Sequence, residues 1–319
     1  MEKLYGDVTN INSDELVSIS LQTGHNQATA VLTVTSTDTS LDIGDTVEAN
    51  FGYISNHNRL FSGYVKNIEH SADTGLYTIT AQDVMVRAVD FFVVSADPDN
   101  PFKRSHISAE DLVKDVLALA QLTSYDYDAT SFTFAIRNPA EVNLTSSYDY
   151  CKMISDILYW HLYADKDGVC HFIDRKPYPD VGDVSLKTLT DYDITSFTHR
   201  ISEKDLRNRV VIYGAGSIHA EAHAASPYLP VGYYKTAVCS AAVIDDQTMA
   251  NMAAAYNLTL LNRLTETVSL NLIGDPDIEA RCCVTLNEAI LGVTGLWYVY
   301  SVSHNWSQGG YTMGLEMRK

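Results

Sequence analysis

Two periodicities of apolar residues alternate along this chain of 319 residues. From residue 16 to residue 95, apolar and polar side chains alternate, as in LVSISLQTG and ATAVLTVTST, and short turn-forming stretches separate the runs. Alternation with a period of two indicates strands that are buried on one face. Closely spaced antiparallel strands of this kind predict a small β-barrel or sandwich.

The pattern changes after Ser95–Arg104, where two prolines and several polar residues predict a linker. In SAEDLVKDVLALAQL the apolar residues recur at helical spacing, and Ser108 with Asp111 predicts the start of a helix. A second helix is predicted in SSYDYCKMISDILYWHLY, followed by a hairpin about DKDG. This middle part is therefore expected to form a small α+β domain.

Strand periodicity returns from about residue 181. Strands are predicted in DYDITSFTHR, NRVVIYGAG, TETVSLNLIGD, ARCCVTLNEA, GLWYVYSVSHN and GYTMGLEMRK, and a third helix in DDQTMANMAAAYNLTLLNRL. The predicted fold is mostly β with an α+β insert. It divides the chain into an N-terminal β-barrel in residues 1–97, the inserted domain in 98–180, and a second β-barrel with one helix in 181–319.

One hairpin sequence occurs near the start of the chain and again at its end. The first copy contains Phe61, His70, Gly75 and Tyr77, and the second contains Trp297, His304, Gly309 and Tyr311. The spacing from His through Gly to Tyr is the same in both, and LDIGDTVEANF and PDIEARCCVTL precede them. Two copies of one barrel explain the repeat. The alternative is chance, because Gly supplies turns and Tyr and Thr favour strands in any hairpin.

Equivalent hairpins have structural consequences. Tyr77 and Tyr311 should occupy matching strand positions, since a slip of one residue would turn them to opposite faces. The two glycines should lie at the turn or its flanking bulge, where a positive φ is costly for any other residue. Phe61 and Trp297 should cover the barrel cores from the preceding strands.

The composition of the chain limits the classes of function that we expect. The 40 acidic and 22 basic residues give a formal net charge of −18. Such a surface repels phosphates, so sequence-reading nucleic acid binding is not expected; it suits an acidic soluble protein or a wall past which a polyanion slides. The five cysteines form no CxxC pair, which favours reduced thiols over a disulfide framework. Neither a signal peptide nor a membrane span is expected.

Motifs for catalysis or metal binding are weak. His219 and His223 in HAEAH could share a metal on a helix, but the metalloprotease pattern is absent, and loop or solvated histidines are favoured. Asp165–Gly168 begins like a calcium loop, yet Lys176 replaces its final Glu, so a hairpin turn is predicted. Gly214–Ser217 is too short for a dinucleotide fingerprint. No nucleophile motif or carboxylate pair stands out, so no enzyme, cofactor or metal is predicted.

The order of an IGD-V strand, LFSGYV-x-I, a turn and YTITAQD resembles the N-terminal barrel of phage tail baseplate hub proteins. This late-control protein D family includes the hub portion of contractile-phage and type VI secretion spikes. DLVKDVLALAQL and YDYCKMISDILYWHLYADKDGVCHFID resemble its middle helices and hairpin, and LWYVYSVSHNWSQGGYTMGLEM resembles its closing hairpin. The similarity is a pattern of apolar positions and turns over nearly the whole chain.

The resemblance implies a structural tail hub protein that forms a homotrimer. Two barrels in each subunit would give a ring of six, which joins a six-fold tail tube or distal tail protein to a three-fold spike or tip protein. It implies that DNA passes the lumen without specific binding, and that the protein resides in the virion tail after assembly in the host cytoplasm. The alternatives are a tail-associated cell-wall hydrolase on a hub scaffold and a β-rich carbohydrate-binding module for a host receptor.

Overall fold

The computed structural model describes residues 2–94, 102–130, 132–134, 140–225, 233–241 and 244–319. Within these ranges the chain contains four helices, and 12 of its strands form one large sheet. The predicted fold class is confirmed, because two six-stranded barrels are separated by a small α+β insert. Most of the linker predicted at Ser95–Arg104 lies outside the described residues, and its last three residues, Phe102–Arg104, form a short strand.

Six strands form the first barrel. They are β1 Leu4–Val8, β2 Leu16–Gly24, β3 Val31–Ser36, β4 Thr46–Tyr53, β5 His57–His70 and β6 Tyr77–Asp83. Their order in the sheet is β1-β4-β5-β6-β3-β2. Every strand contributes side chains to one buried core, including Val8, Leu21, Leu32, Phe51, Phe61 and Ile79. A sheet whose strands all share one core must curl around it, and this is why we call the unit a barrel.

The insert has its own core between two helices and several short strands. Its elements are α1 Val86–Asp90, β7 Phe92–Val93, β8 Phe102–Arg104, β9 Ile107–Ser108, α2 Ala109–Leu119, β10 Tyr125–Tyr127, β11 Thr133–Phe134, β12 Ala140–Val142, β13 Thr145–Ser146, α3 Ser147–Leu158, β14 His161–Ala164 and β15 Cys170–Ile173. Ser108 and Ser146 cap α2 and α3 by accepting backbone N–H groups. The second helix is shorter than predicted, because Tyr159 takes a left-handed conformation and ends it.

The second barrel and a side module complete the chain. The barrel strands are β16 Thr188–Thr190, β17 Ile194–Ser202, β21 Thr265–Ile273, β22 Cys283–Glu288, β23 Val293–Ser307 and β24 Gly310–Arg318. Between β17 and β21 the chain forms the side module, which consists of β18 Arg209–Tyr213, β19 His219–His223, β20 Thr236–Ser240 and α4 Gln247–Leu261. The barrel strands again surround one core, which includes Trp297 and Met317.

The two barrels have the same strand connectivity. In the second barrel the order is β16-β22-β23-β24-β21-β17, which matches β1-β4-β5-β6-β3-β2 strand for strand along the chain. One ladder differs, because β1 is antiparallel to β4 whereas β16 is parallel to β22. The duplication inferred from one hairpin therefore extends to six strands, with the side module inserted between the second and third strands of the second copy.

Strand irregularities coincide in the two copies. Val17 and Thr195 are the extra residues of bulges in β2 and β17. Lys66 and Tyr300 are the extra residues of bulges in β5 and β23. A bulge fixes the register of the strands around it, so these four residues align the copies residue by residue.

The turn before the fourth strand is also duplicated. Gly44 has φ +92° and Arg281 has φ +78°. Their backbone N–H groups donate to equivalent carbonyls, those of Val65 at 2.9 Å and Val299 at 2.7 Å. The first copy uses glycine for this left-handed position, as expected from sterics, whereas the second copy holds an arginine there.

The backbone at Gly44 predicts the cost of replacing it. A Cβ at Gly44 would meet no atom within 4 Å, so Gly44→Ala should lower the free energy of unfolding only through its φ, by about 1–2 kcal/mol. Gly310→Ala is the matched control, because Gly310 is equally open and has no left-handed φ. Urea unfolding of both variants measures the difference. Equal stabilities for the two would contradict this account of the turn.

Candidate assembly interface

A single ladder joins the two barrels edge to edge. Residues Ser18–Gly24 of β2 pair antiparallel with Ser301–Ser307 of β23. The first half of β23 pairs with β22, and its second half reaches past the second barrel to β2. Because β24 pairs with β23 along most of its length, the hairpin of β23 and β24 carries the sheet of one barrel into the other.

Two aromatic side chains at the tip of this hairpin complete the core of the first barrel. Trp306 and Tyr311 are 6% and 3% exposed and pack with the residues of that core. The close approach needs glycine, because a Cβ on Gly6 would lie 2.7 Å from the Trp306 ring and one on Gly274 would lie 2.3 Å from the Tyr311 ring. Each of these distances is too short for a side chain, so the rings and glycines fit only as pairs.

His304 lies beneath Tyr311 at the join. Its Nδ1 and the Tyr311 hydroxyl are 2.7 Å apart, and the Phe51 ring lies nearly perpendicular to both rings. Burial lowers the pKa of His304 to about 4. The imidazole is therefore neutral at physiological pH, and its hydrogen bond with the hydroxyl provides the polar contact that a buried ring nitrogen needs.

The register revises the expected equivalence of the two hairpins. Counting from the bulges, His70 matches His304, but His70 pairs with Tyr77 whereas His304 pairs with Met313. The equivalence expected for Tyr77 and Tyr311 is therefore wrong by two positions. The second hairpin is two residues longer beyond its His, and that extra length brings Tyr311 into the neighbouring barrel.

The other hairpin residues follow the same shift. Phe61 and Trp297 are both buried on strands before the turn, but they occupy positions two residues apart. Gly75 lies in the first turn with φ +69°. Gly309 lies in the second turn, as expected, but it has no left-handed φ, so that part of the expectation is wrong. A turn of two residues there replaces the longer turn of the first hairpin.

The joined sheet has one face that neither core covers. It runs over eight strands in the order β5-β6-β3-β2-β23-β24-β21-β17. Short uncharged side chains dominate this face, which contains Ser18, Ser20, Gln22, Thr33, Thr35, Asn67, Thr78, Thr80, Gln82, Ser196, Thr198, Thr267, Ser269, Asn271, Ser301, Ser303, Asn305 and Thr312. Four charged residues lie on it, Glu69, Glu316, Arg200 and Arg318. We refer to it as the hydroxyl face.

The hydroxyl face has the same chemistry in both barrels. By the matching bulges, Ser18 is equivalent to Ser196 and Ser20 to Thr198. Side chains on the face hydrogen-bond across strands, as Ser20 does with Asn305 at 3.1 Å and Asn271 with Ser196 at 2.8 Å. The acidic excess of the chain therefore lies mainly elsewhere, and the negative wall suggested by composition is absent from this face of the described chain.

A second polar centre lies where the insert meets both barrels. The rings of His25 and His161 stack with centroids 3.9 Å apart. His25 Nδ1 is 2.8 Å from the Tyr298 hydroxyl, and His161 Nε2 is 2.8 Å from the carbonyl of His25. Arg281 donates to the carbonyl of Gly24 and lies over the Tyr163 ring. The insert, the β2–β3 loop and the second barrel are thereby fastened at one point.

This centre is electrostatically unusual, and sequence reasoning missed it. Burial, reinforced by the Arg281 charge, lowers the pKa of His25 to about 3. Burial also lowers the pKa of His161, with the positive charges of His25 and Arg281 acting in the same direction. Nearby, burial raises the pKa of Asp83 to about 7, although its carboxylate accepts from the N–H groups of Ala30 and Met85. No local motif marks these residues, because residues from three units form the contacts.

The motifs considered for metal binding lie on ordinary surface elements. His219, Glu221 and His223 alternate on β19 and are exposed, where Glu221 is paired with Arg209. The segment is thus a strand rather than a loop. Asp165–Gly168 forms the turn between β14 and β15, with Gly168 at φ +79°. Among the described residues, no group of three or more His, Cys, Asp and Glu could hold a metal ion.

Two further observations concern the whole chain. All five cysteines are free. In the ranges that the structure describes, no helix has the length and apolar character needed to cross a membrane.

Comparison with known proteins supports the fold. The sequence profile of the YQBQ-like family matches residues 232–318. No curated protein sequence matches the chain significantly. A tail protein from Neisseria meningitidis MC58 superposes with a TM-score of 0.73 at 11% identity, covering 99% of this chain and 97% of that one. The 43 kDa tail protein of prophage MuSo2 from Shewanella oneidensis gives 0.69 at 12% identity, with 99% and 98% covered.

A secretion component has the same fold. The E. coli c3393 protein of the type VI secretion system, described as similar to the T4 tail proteins gp27 and gp5, superposes with a TM-score of 0.59. The identity is 7%, over 98% of this chain and 76% of that protein. The resemblance to tail hub proteins inferred from the sequence is therefore confirmed as a shared fold.

The hydrogen bond of Tyr311 provides a stability test. Tyr311→Phe removes the hydroxyl and leaves His304 Nδ1 buried without its partner, which should lower the free energy of unfolding by about 1–3 kcal/mol. Tyr77→Phe is the matched control, since Tyr77 stacks on exposed His70 at the corresponding turn and should tolerate the change. Urea unfolding compares the two variants. A larger loss for Tyr77→Phe would contradict the role assigned to the join.

The buried histidine pair predicts a stability that depends on pH. Both pKa values are lower in the folded chain than the usual 6.5, so the unfolded chain binds more protons below that pH. The contribution of the pair to the free energy of unfolding should therefore fall as pH decreases from 6.5 towards about 3, by up to about 1.4 kcal/mol per pH unit for each histidine.

His161→Phe keeps a ring in the stack but removes one titrating group. Its stability should therefore depend less steeply on pH over the same interval than that of the original chain. His70→Phe provides the control, since His70 is exposed. Unfolding measured at several pH values gives both slopes, and an unchanged slope for His161→Phe would show that the pair does not titrate as described.

Proposed function

We propose that this protein is a structural hub of a phage tail or a related contractile injection particle, and that it acts as a homotrimer. The observation that carries the proposal is the duplicated barrel whose two copies are joined edge to edge in one sheet. The fold shared with tail proteins and with a type VI secretion component supports the same role.

The duplication suits a junction between two symmetries. Each chain offers two barrels with the same connectivity, so three chains present six similar barrels while remaining a closed three-fold assembly. Eight strands from each chain would give a continuous wall of 24 strands around a lumen. Such a ring could contact a six-fold tail tube or distal tail protein above it and a three-fold spike or tip protein below it.

In this ring we assign the hydroxyl face to the lumen. The side chains listed for that face are mostly short and uncharged, and its four charged residues are two of each sign. Without a cluster of cations, this face cannot displace the counterions of the DNA phosphates. DNA would therefore pass without specific binding. The role is structural, and the proposed location is the virion tail.

The proposed division of the chain follows the predicted boundaries at residues 97 and 180, except that α1 and β7 pack with the core of the insert. The alternatives are less well supported by the described residues. A cell-wall hydrolase needs an acid and a nucleophile in one cleft, and the strongly shifted titratable groups instead lie in the buried joins. A carbohydrate-binding module would not require two barrels joined through a shared ladder.

The proposal is tested by the assembly of the purified chain. The mass in solution, together with electron microscopy of the particles, should give three copies and a ring with six similar lobes. Ser20 and Ser303 should line the central opening. Six or twelve copies at one level, or a lumen lined by another surface, would overturn the proposed hub.

A further inference from the structure

The two strands that form the ladder between the barrels, β2 and β23, each have an equivalent in the other barrel, and both equivalents lack a partner on one edge. β17 is the counterpart of β2, but it pairs only with β21, whereas β2 pairs with both β3 and β23. Residues 67–70 of β5 are the counterpart of the second half of β23, but they pair only with β6. Within the described residues, each barrel thus uses one of these two edges in the internal ladder and leaves the other without a partner. The joined sheet therefore has one open strand edge at each end.

Unpaired strand edges of this kind can form hydrogen bonds with a further strand. An exposed edge presents a row of free N–H and C=O groups, and proteins normally cover or disrupt such edges. Here β17 is nine residues long and mostly exposed. Since the chain fills the equivalent edge in its first barrel with its own β23, the natural occupant of the open edge is another copy of the same strand type.

Transferring the internal register predicts which residues meet. In the internal join, Thr23 is opposite Val302 and Gln22 is opposite Ser303. Counting from the matching bulges, the residues equivalent to Thr23 and Val302 are Ile201 and Ile68. The residues equivalent to Gln22 and Ser303 are Arg200 and Glu69. His199 would then face His70, and Ser202 would face Asn67.

The residues brought together by this transfer are complementary. Ile201 is 55% exposed although it lies opposite Glu266 of β21, and the register gives it an apolar partner in Ile68 on its open side. Arg200 and Glu69 are both exposed and carry opposite charges. Neither the apolar pair nor the charge pair was used to derive the register, so their agreement supports it independently.

We propose that β17 of one copy pairs antiparallel with residues 67–70 of the next copy, with Ile201 opposite Ile68 and Arg200 opposite Glu69. The inference rests on the proposed homotrimer and identifies its contact. Each copy offers one edge of each kind, so the contact is heterologous and closes into a ring when the rotation between successive barrels is constant.

Cysteine cross-linking tests the register. Ile68→Cys combined with Ile201→Cys should form disulfides between copies on mild oxidation, because directly opposite residues on neighbouring strands approach within disulfide range. Either single variant controls for the native cysteines. Glu69→Cys with Ile201→Cys is the register control, since Glu69 points to the other face and should cross-link far less.

Charge reversal tests the same contact without a covalent bond. Arg200→Glu or Glu69→Arg alone should weaken association roughly fivefold at each contact, and the double variant should recover most of the loss. The readout is the concentration at which the assembled mass appears. Lys204→Glu is the control, because Lys204 lies just beyond β17 and outside the predicted pairs.

The outcomes separate this inference from the hub proposal. Trimers without the Ile68–Ile201 cross-link and without an effect of charge reversal would show that the copies meet elsewhere, leaving the hub proposal intact. Cross-linked open chains or rings of another number would support the strand pairing and overturn the hub. A chain that neither assembles nor cross-links up to its solubility limit would overturn both.

Discussion

The ladder between β2 and β23 is the interaction on which the arrangement of the molecule depends. It converts two separate barrels into one sheet and brings Trp306 and Tyr311 into a core formed mainly by strands from the other end of the chain. Neither aromatic ring would fit without Gly6 and Gly274, so backbone contact and side-chain packing specify the same docking. The hydroxyl face, the open edges and the junction with the insert all follow from this one alignment.

The two barrels share a common backbone framework but differ in the residues that contact their surroundings. The framework comprises the strand order, two bulges and the turn that contains Gly44 or Arg281. Using arginine at the left-handed position costs conformational energy, but its side chain reaches Gly24 and Tyr163 and so ties the second barrel to its surroundings. The first barrel has no such neighbour at Gly44 and uses the residue that the backbone favours.

Sequence patterns predicted the architecture better than they predicted its joins. Strand alternation and the repeated hairpin indicated two barrels, because the apolar period is a local property of each strand. The two-residue shift between Tyr77 and Tyr311 was not predictable from spacing, since His-to-Tyr separation is the same whether the turn is long or short. The contact between His25 and His161 depends on tertiary packing across 136 residues of sequence, for which no local signal exists.

The packing of the terminal hairpin of β23 and β24 into the first barrel also affects how the chain folds. The core of the first barrel includes residues that lie more than 200 positions after its sixth strand, so local contacts alone cannot complete it. Contacts of such long sequence separation carry a large loop-closure entropy and slow folding. During synthesis the first barrel would emerge early, but it would reach its full stability only after Trp306 and Tyr311 had been made.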